Sequence, residues 1–258
     1  MKRLLKAELF ILLKSRTYQC LLIACCLFVL KSKEKSYFGV TYETGYEWFC
    51  VRQLMGSKFH TLVCIFAADY VASGFSNRTI ASGICCGFTR KEVFGAKMIA
   101  YMMGLVPLFL VNTAVGTVSR TIKNGFGTNL NSAVLVRMAT SYGYHILTWM
   151  LVYGMFQFMW AVITKSRTKT IIFSMGTMQI IGSLTARAGE ITGKMEDSAA
   201  KVIYQSVLKF NPLYQLHTLL RPQVFIRIPF SQFAISAFAC FLGITYISMH
   251  VFERSDLR

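Results

Sequence analysis

Apolar residues fall in long uninterrupted runs along this chain, and the charged residues gather between them. No formally charged residue stands between Lys97 and Arg120, between Arg137 and Lys165, between Lys169 and Arg187, or between Arg227 and Glu253. A helix rises about 1.5 Å per residue, so about 20 residues cross the roughly 30 Å hydrocarbon core of a bilayer. Three of these gaps exceed that length, and residues 170–186 sit at the short end of the range. The pattern predicts an all-α membrane protein with an N-terminal interfacial helix and six transmembrane helices, near residues 17–30, 58–75, 96–118, 141–164, 170–186 and 229–252. The first run is short and must borrow length by snorkelling Arg16 and Lys31 or by continuing toward Phe38. Pro107 is expected to kink the third.

The segments between the runs carry their own signals. Residues 1–16 mix cations with Leu4, Leu5, Leu9, Phe10, Leu12 and Leu13, the composition of a helix lying in the interface. Leu22-Ile23-Ala24-Cys25 resembles a lipoprotein cleavage box, but the residues after Cys25 stay apolar, so an uncleaved anchor is expected. Residues 31–58 are polar and rich in aromatic rings, which favour headgroups. Residues 74–97 read as a cation-bearing loop, 119–140 as a loop and 165–169 as a short basic turn. Residues 187–228 read as a long polar segment, expected outside the cell, holding an amphipathic helix at 197–210 ended by Asn211-Pro212. The chain reads as one domain, 1–258, without internal repeat.

Composition agrees with the pattern. Hydrophobic residues make up 54% of the 258 and charged residues only 15%, against about 25% in a typical soluble domain. The net charge of +17 would suggest nucleic acid on a soluble protein. Here the cations sit between apolar runs, where they orient a chain in a membrane, and no nucleic-acid partner is expected. Lys and Arg divide evenly between the two sides of a six-span arrangement. The segments on the side of both termini are shorter, which favours both termini in the cytoplasm. The eight cysteines lack a Cys-x-x-Cys pair, so neither zinc nor a redox centre is expected; Cys50 falls outside the cell and Cys85 and Cys86 inside.

Little enzymatic chemistry is visible. His60, His145, His217 and His250 are scattered without ligand or triad spacing, and read as interfacial or packing residues. Residues 189–195, GEITGKM, fall one residue short of a P-loop and end in Met rather than Ser or Thr, so any ATPase must be a separate chain. Asp69 is the one formal charge within an otherwise apolar run. A carboxylate at mid-bilayer costs roughly 2.5–3.5 kcal/mol, so it should face protein or lie at an interface; the alternative is a role in positioning the adjacent loop. Residues 170–186 are small and polar for a span, with Ser174, Gly176, Thr177, Gln179, Gly182, Ser183 and Ala186. Gly182 and Ala186 have the spacing that lets helices approach closely. Packing within the subunit, a subunit interface through the first and fifth spans, and a translocation path all remain open for Ser174, Thr177, Gln179, Gly182 and Ala186.

Three stretches resemble the type-two ABC exporter permeases, most closely the small subunits paired with antimicrobial-peptide immunity and drug-resistance ATPases. The opening KAELFILLKSRTY (residues 6–18) is similar to the family's interfacial elbow helix. Residues 66–99 carry Asp69, then Gly74-Phe75, Thr79-Ile80, Gly87-Phe88-Thr89-Arg90, Val93 and Lys97, in the family's order. LKFNPLYQL (208–216) and the ending FERSDLR (252–258) resemble its Asn-Pro element and its tail. Gly74 departs from the pattern, standing where the family usually has Glu, so an ion pair made by that acid is either missing or supplied by Asp69.

The resemblance implies a non-catalytic permease for an amphipathic substrate (a peptide, drug or lipid-like molecule). It would pair with a second copy or paralogue and with two copies of an ABC ATPase. It implies no cofactor in this chain, ATP and Mg residing on the ATPase. Residues 74–97 would form the ATPase-coupling element, with Asn77, Arg78 and Thr79 as a cap, Gly87 in the motif, and Arg90, Lys91 and Glu92 as a charged tip. The residues alone also fit a solvated positive-inside loop, and a membrane-embedded sensor or enzyme subunit without transport of its own is the alternative function.

Overall fold

The computed structural model describes residues 2–31, 36–37, 40–41, 44–50, 57–194 and 230–255. The expected helix at 197–210 and the Asn-Pro element lie outside them. The described chain is almost wholly helical. Its helices are α1 (Lys2–Lys14), α2 (Arg16–Leu30), α3 (Gly45–Cys50), α4 (Ser57–Ala67), α5 (Ser73–Ser76), α6 (Thr79–Cys85), α7 (Arg90–Asn124), α8 (Ser132–Ile146), α9 (Met155–Thr164), α10 (Arg167–Lys194) and α11 (Phe230–Glu253). A two-residue antiparallel ladder, β1 (Ser36–Tyr37) with β2 (Val40–Thr41), follows α2. Two wider π turns, Ala68–Ala72 and Leu147–Gly154, join α4 to α5 and α8 to α9 into continuous rods.

Four of these rods are long and apolar enough to cross a membrane: 59–76, 90–124, 132–164 and 230–253. A fifth is available if α1 and α2, bent by 56°, are taken together. The bend has a local cause. Ser15 is extended (φ −65°, ψ 121°), and its hydroxyl accepts the Tyr18 N–H, so one helix ends and another is capped at the same residue. The 28-residue α10 is long enough to cross, but is too polar to count on composition. The outward faces are apolar, with Ile235 66% and Leu242 64% exposed on α11, a surface suited to lipid rather than water.

The expected element ends need correction. Residues 119–140 are not a loop: α7 runs on to Asn124 and α8 starts at Ser132. Pro107 lies inside α7 without dividing it. The stretch 74–97 is also mostly helical, comprising the end of α5, all of α6 and the start of α7.

α7 is the hub, packed against α1, α2, α3, α4 and α11. Between apolar helices in lipid, contact and hydrogen bonding hold the bundle rather than escape from water, so close approach matters. Gly104 provides it: a Cβ there would lie 2.6 Å from Phe66 Cζ and 2.9 Å from Leu12. The Tyr18 hydroxyl donates to the Gly104 carbonyl at 2.8 Å, and that of the fully buried Tyr101 donates to the Gly154 carbonyl at 3.1 Å. The Phe66 ring stacks on Tyr101 with centroids 5.1 Å apart. At the far end of α7, Trp48 of α3 fills the space left by Gly116, under the Arg120 guanidinium.

Candidate functional site

One end of the bundle gathers α1, the start of α2, the π turn and α5, α6, the starts of α7 and α10, and the end of α11. The first and last described segments therefore meet at the same end. Between them lies a cavity of about 310 Å³. Its wall holds two carboxylates and two cations, Glu8, Asp69, Lys97 and Arg167, among hydroxyl groups.

Lys97 and Glu8 form the inner pair. The Lys97 side chain is 7% exposed and that of Glu8 12%, and Nζ lies 3.3 Å from Glu8 Oε2 and 3.4 Å from Oε1. The Tyr70 hydroxyl donates to Glu8 Oε2 at 2.7 Å, while the ammonium sits 4.7 Å from the Tyr70 ring centroid. A buried charge needs this kind of pairing and hydrogen bonding. Gly74 makes the room: a Cβ there would come within 2.9 Å of Lys97 Cε. The acid beside Lys97 is Glu8, on α1 and 89 positions earlier.

Asp69 belongs to the outer pair. The π turn carries it to the cavity mouth, where Oδ1 lies 3.5 Å from Arg167 Nη2. Their side chains are 24% and 54% exposed. Ser73 donates to the Asp69 carbonyl, and Thr79 donates to the Gly74 carbonyl at 3.2 Å, tying α6 back to α5. Asn77 closes α5 and Arg78 opens α6 in the left-handed region at φ 55°, without a side-chain capping bond. Residues 77–79 thus cap α5 and α6 through the backbone, with Thr79 tied to Gly74, rather than through a side-chain cap.

A side-chain capping box stands at the start of α7. Thr89 accepts the Glu92 N–H at 3.3 Å, and the Glu92 carboxylate accepts the Thr89 N–H and hydroxyl, each at 3.0 Å. These donors hold the Glu92 carboxyl below its usual value. Gly87 makes the preceding turn at φ 89°. Arg90 and Lys91 are consequently in the first turn of α7 and not on a loop. Arg90 Nη1 donates to the Glu253 carbonyl at 2.5 Å and the Ser255 carbonyl at 3.1 Å, closing the end of α11. Lys91 lies 3.8 Å from the Glu253 carboxylate and stays 72% exposed. The residues proposed for coupling thus meet at one end of the bundle, but Arg90 is already engaged within the chain.

The small polar residues of α10 do not form one patch. Ser174 is fully buried, in a helix packed on α4 and α9, and its hydroxyl has no hydrogen-bond partner. Thr177 donates to the Phe173 carbonyl and Gln179 is exposed. Gly182 and Ala186 are on the same helix, with side-chain surroundings outside the description. Elsewhere His60 makes a polar cluster inside the bundle, 3.1 Å from Gln157 Nε2 and 3.6 Å from Cys64 Sγ. Among the described residues no group of three or more His, Cys, Asp and Glu could hold a metal.

Sequence reasoning missed Glu8, Tyr70 and Arg167 as cavity residues. Glu8 had a signal, being the one acid among the first 16 residues, in an otherwise cationic helix. Arg167 had none beyond its place in a short basic turn. Searched against known families and curated proteins, the chain matches no family model and no curated sequence.

Proposed function

We propose that this chain is the membrane-spanning permease subunit of an ATP-driven ABC exporter, with both termini in the cytoplasm of a bacterial plasma membrane. In this reading α1 is the elbow helix, and six helical segments cross the membrane, α2 and α10 adding to the four that qualify on length and composition. The observation that carries the proposal is the placement of α6. It is a seven-residue helix between two membrane-length rods, within the stretch 66–99 that resembles the family, at the end where α1 is clamped to α7 by Glu8 and Lys97. Such a helix can transmit motion from an ATPase because α5 and α7 hold both its ends. The substrate is amphipathic, since the spans offer few charges for a hydrophilic ion.

The test is to express the chain with its neighbouring reading frames and ask whether a P-loop ATPase co-purifies in detergent, followed by a screen for compounds that stimulate ATP hydrolysis. The account expects a stable complex whose hydrolysis responds to an amphipathic peptide or drug. A neighbouring sensor kinase or soluble hydrolase that co-purifies in place of an ATPase would contradict it.

A further inference from the structure

The cavity beneath α1 has chemistry that coupling does not require. Its inner pair is closed: Lys97 is spent on Glu8 and on the Tyr70 ring. Its outer pair is open, since Asp69 and Arg167 are 3.5 Å apart at the mouth and partly exposed. A simple anion entering here would face two carboxylates, and a simple cation would face Lys97 and Arg167. The balanced wall therefore selects a ligand carrying both charges a few bonds apart. The outer faces of the helices that flank the cavity are apolar. Ile11 of α1, 56% exposed, lines the cavity, and outward apolar residues follow on both flanking helices, Ile23 and Leu27 on α2 and Ile172 on α10. A wide turn of the π type carries Asp69, a local geometry frequent at binding sites.

From this we infer that the cavity seats the head of a zwitterionic phospholipid bearing a primary ammonium, a phosphoethanolamine group. Arg167 takes the phosphate in place of its contact with Asp69, and Asp69 accepts hydrogen bonds from the ammonium. The acyl chains lie along the outer faces of α2 and α10. A quaternary ammonium has no N–H for Asp69 and would need an aromatic face. Of the three rings lining the cavity, Tyr70 already carries Lys97, and Tyr18 and Phe66 are buried against each other. The site needs membrane insertion but does not depend on the export reading.

The test uses the full chain purified in detergent. Retention of added dioctanoyl phosphatidylethanolamine, phosphatidylcholine and phosphatidylglycerol is counted by native mass spectrometry and checked by melting temperature. Soluble phosphoethanolamine is a fourth ligand. The ethanolamine lipid is expected to bind about tenfold tighter than the choline lipid, since a charge-assisted hydrogen bond is worth more than one factor of ten. Asp69→Asn, of the same shape, keeps an acceptor oxygen but loses the charge, so it should sharply reduce that preference and keep residual binding of both lipids, and Asp69→Glu should restore it. Arg167→Gln, at a half-exposed position, should weaken both lipids. Equal binding of ethanolamine and choline lipids by the native chain, or an unchanged preference in Asp69→Asn, would overturn the proposal. Soluble phosphoethanolamine as tight as the lipid would overturn the membrane source of the ligand.

Discussion

Lys97 stands at the start of the third apolar run, and the space beside it exists because residue 74 has no side chain. Its charge is tolerated because Glu8 and Tyr70 reach it from two other elements. Removing one member of a buried pair leaves the other uncompensated, typically at a cost of roughly 3–5 kcal/mol, whereas replacing both with apolar groups is often neutral. Glu8→Gln should therefore lower the melting temperature in detergent markedly, and Glu8→Gln with Lys97→Met should recover most of the loss. A single variant as stable as the parent would show that the pair is not held as described. The sequence pointed to Lys97 and Gly74 through the resemblance, and it marked Asp69 as an odd charge. It could not pair Glu8 with Lys97, because the contact joins segments 89 positions apart and nothing local encodes it.

At the scale of elements, runs with no charge, or with Asp69 alone, were enough to locate the long helices among the described residues, since a bilayer demands both apolar length and internal backbone hydrogen bonding. The ends were less legible. α7 runs past Val118 to Asn124, and α8 begins nine residues before its expected start at residue 141, because a helix continues into the interface after its apolar run stops. α6 was read as loop for a similar reason: seven residues carry too little periodicity to announce a helix. The structure also refines how coupling is tested. Reversing Arg90 would disturb the closure of α11, whereas Lys91 makes only an exposed contact with Glu253, of a kind worth about 0–1 kcal/mol. Lys91→Glu should thus leave melting almost unchanged while weakening capture of the ATPase, since like charges at an interface can cost several kcal/mol. Unaltered capture and export with Lys91→Glu would remove the charged tip from the coupling role. Along α10, Gly182→Leu should reduce dimer recovery in crosslinking without affecting insertion. Crosslinks mapping to 132–164 instead would place the interface elsewhere.

Over the whole molecule, contacts bring Glu8, α6 and Glu253 to one end and Trp48 of α3 to the other. The account requires the first end to face the cytoplasm, where an ATPase could reach α6. Three native cysteines report on this directly. Cys85 and Cys86 are exposed beside α6, and Cys50 is partly buried on α3 at the opposite end. Burial raises the Cys50 thiol above its usual value, with hydrogen bonds from Tyr46 and Ser141 opposing the rise. Less of it is thiolate at neutral pH than in a free cysteine, so its labelling should speed up as pH is raised. The measurement is modification of intact cells by a membrane-impermeant maleimide, across a pH series, with site-by-site mass spectrometry. The account predicts label on Cys50, increasing with pH, and none on Cys85 or Cys86 until the membrane is permeabilised. Label on Cys85 or Cys86 in intact cells, with Cys50 protected, would contradict it.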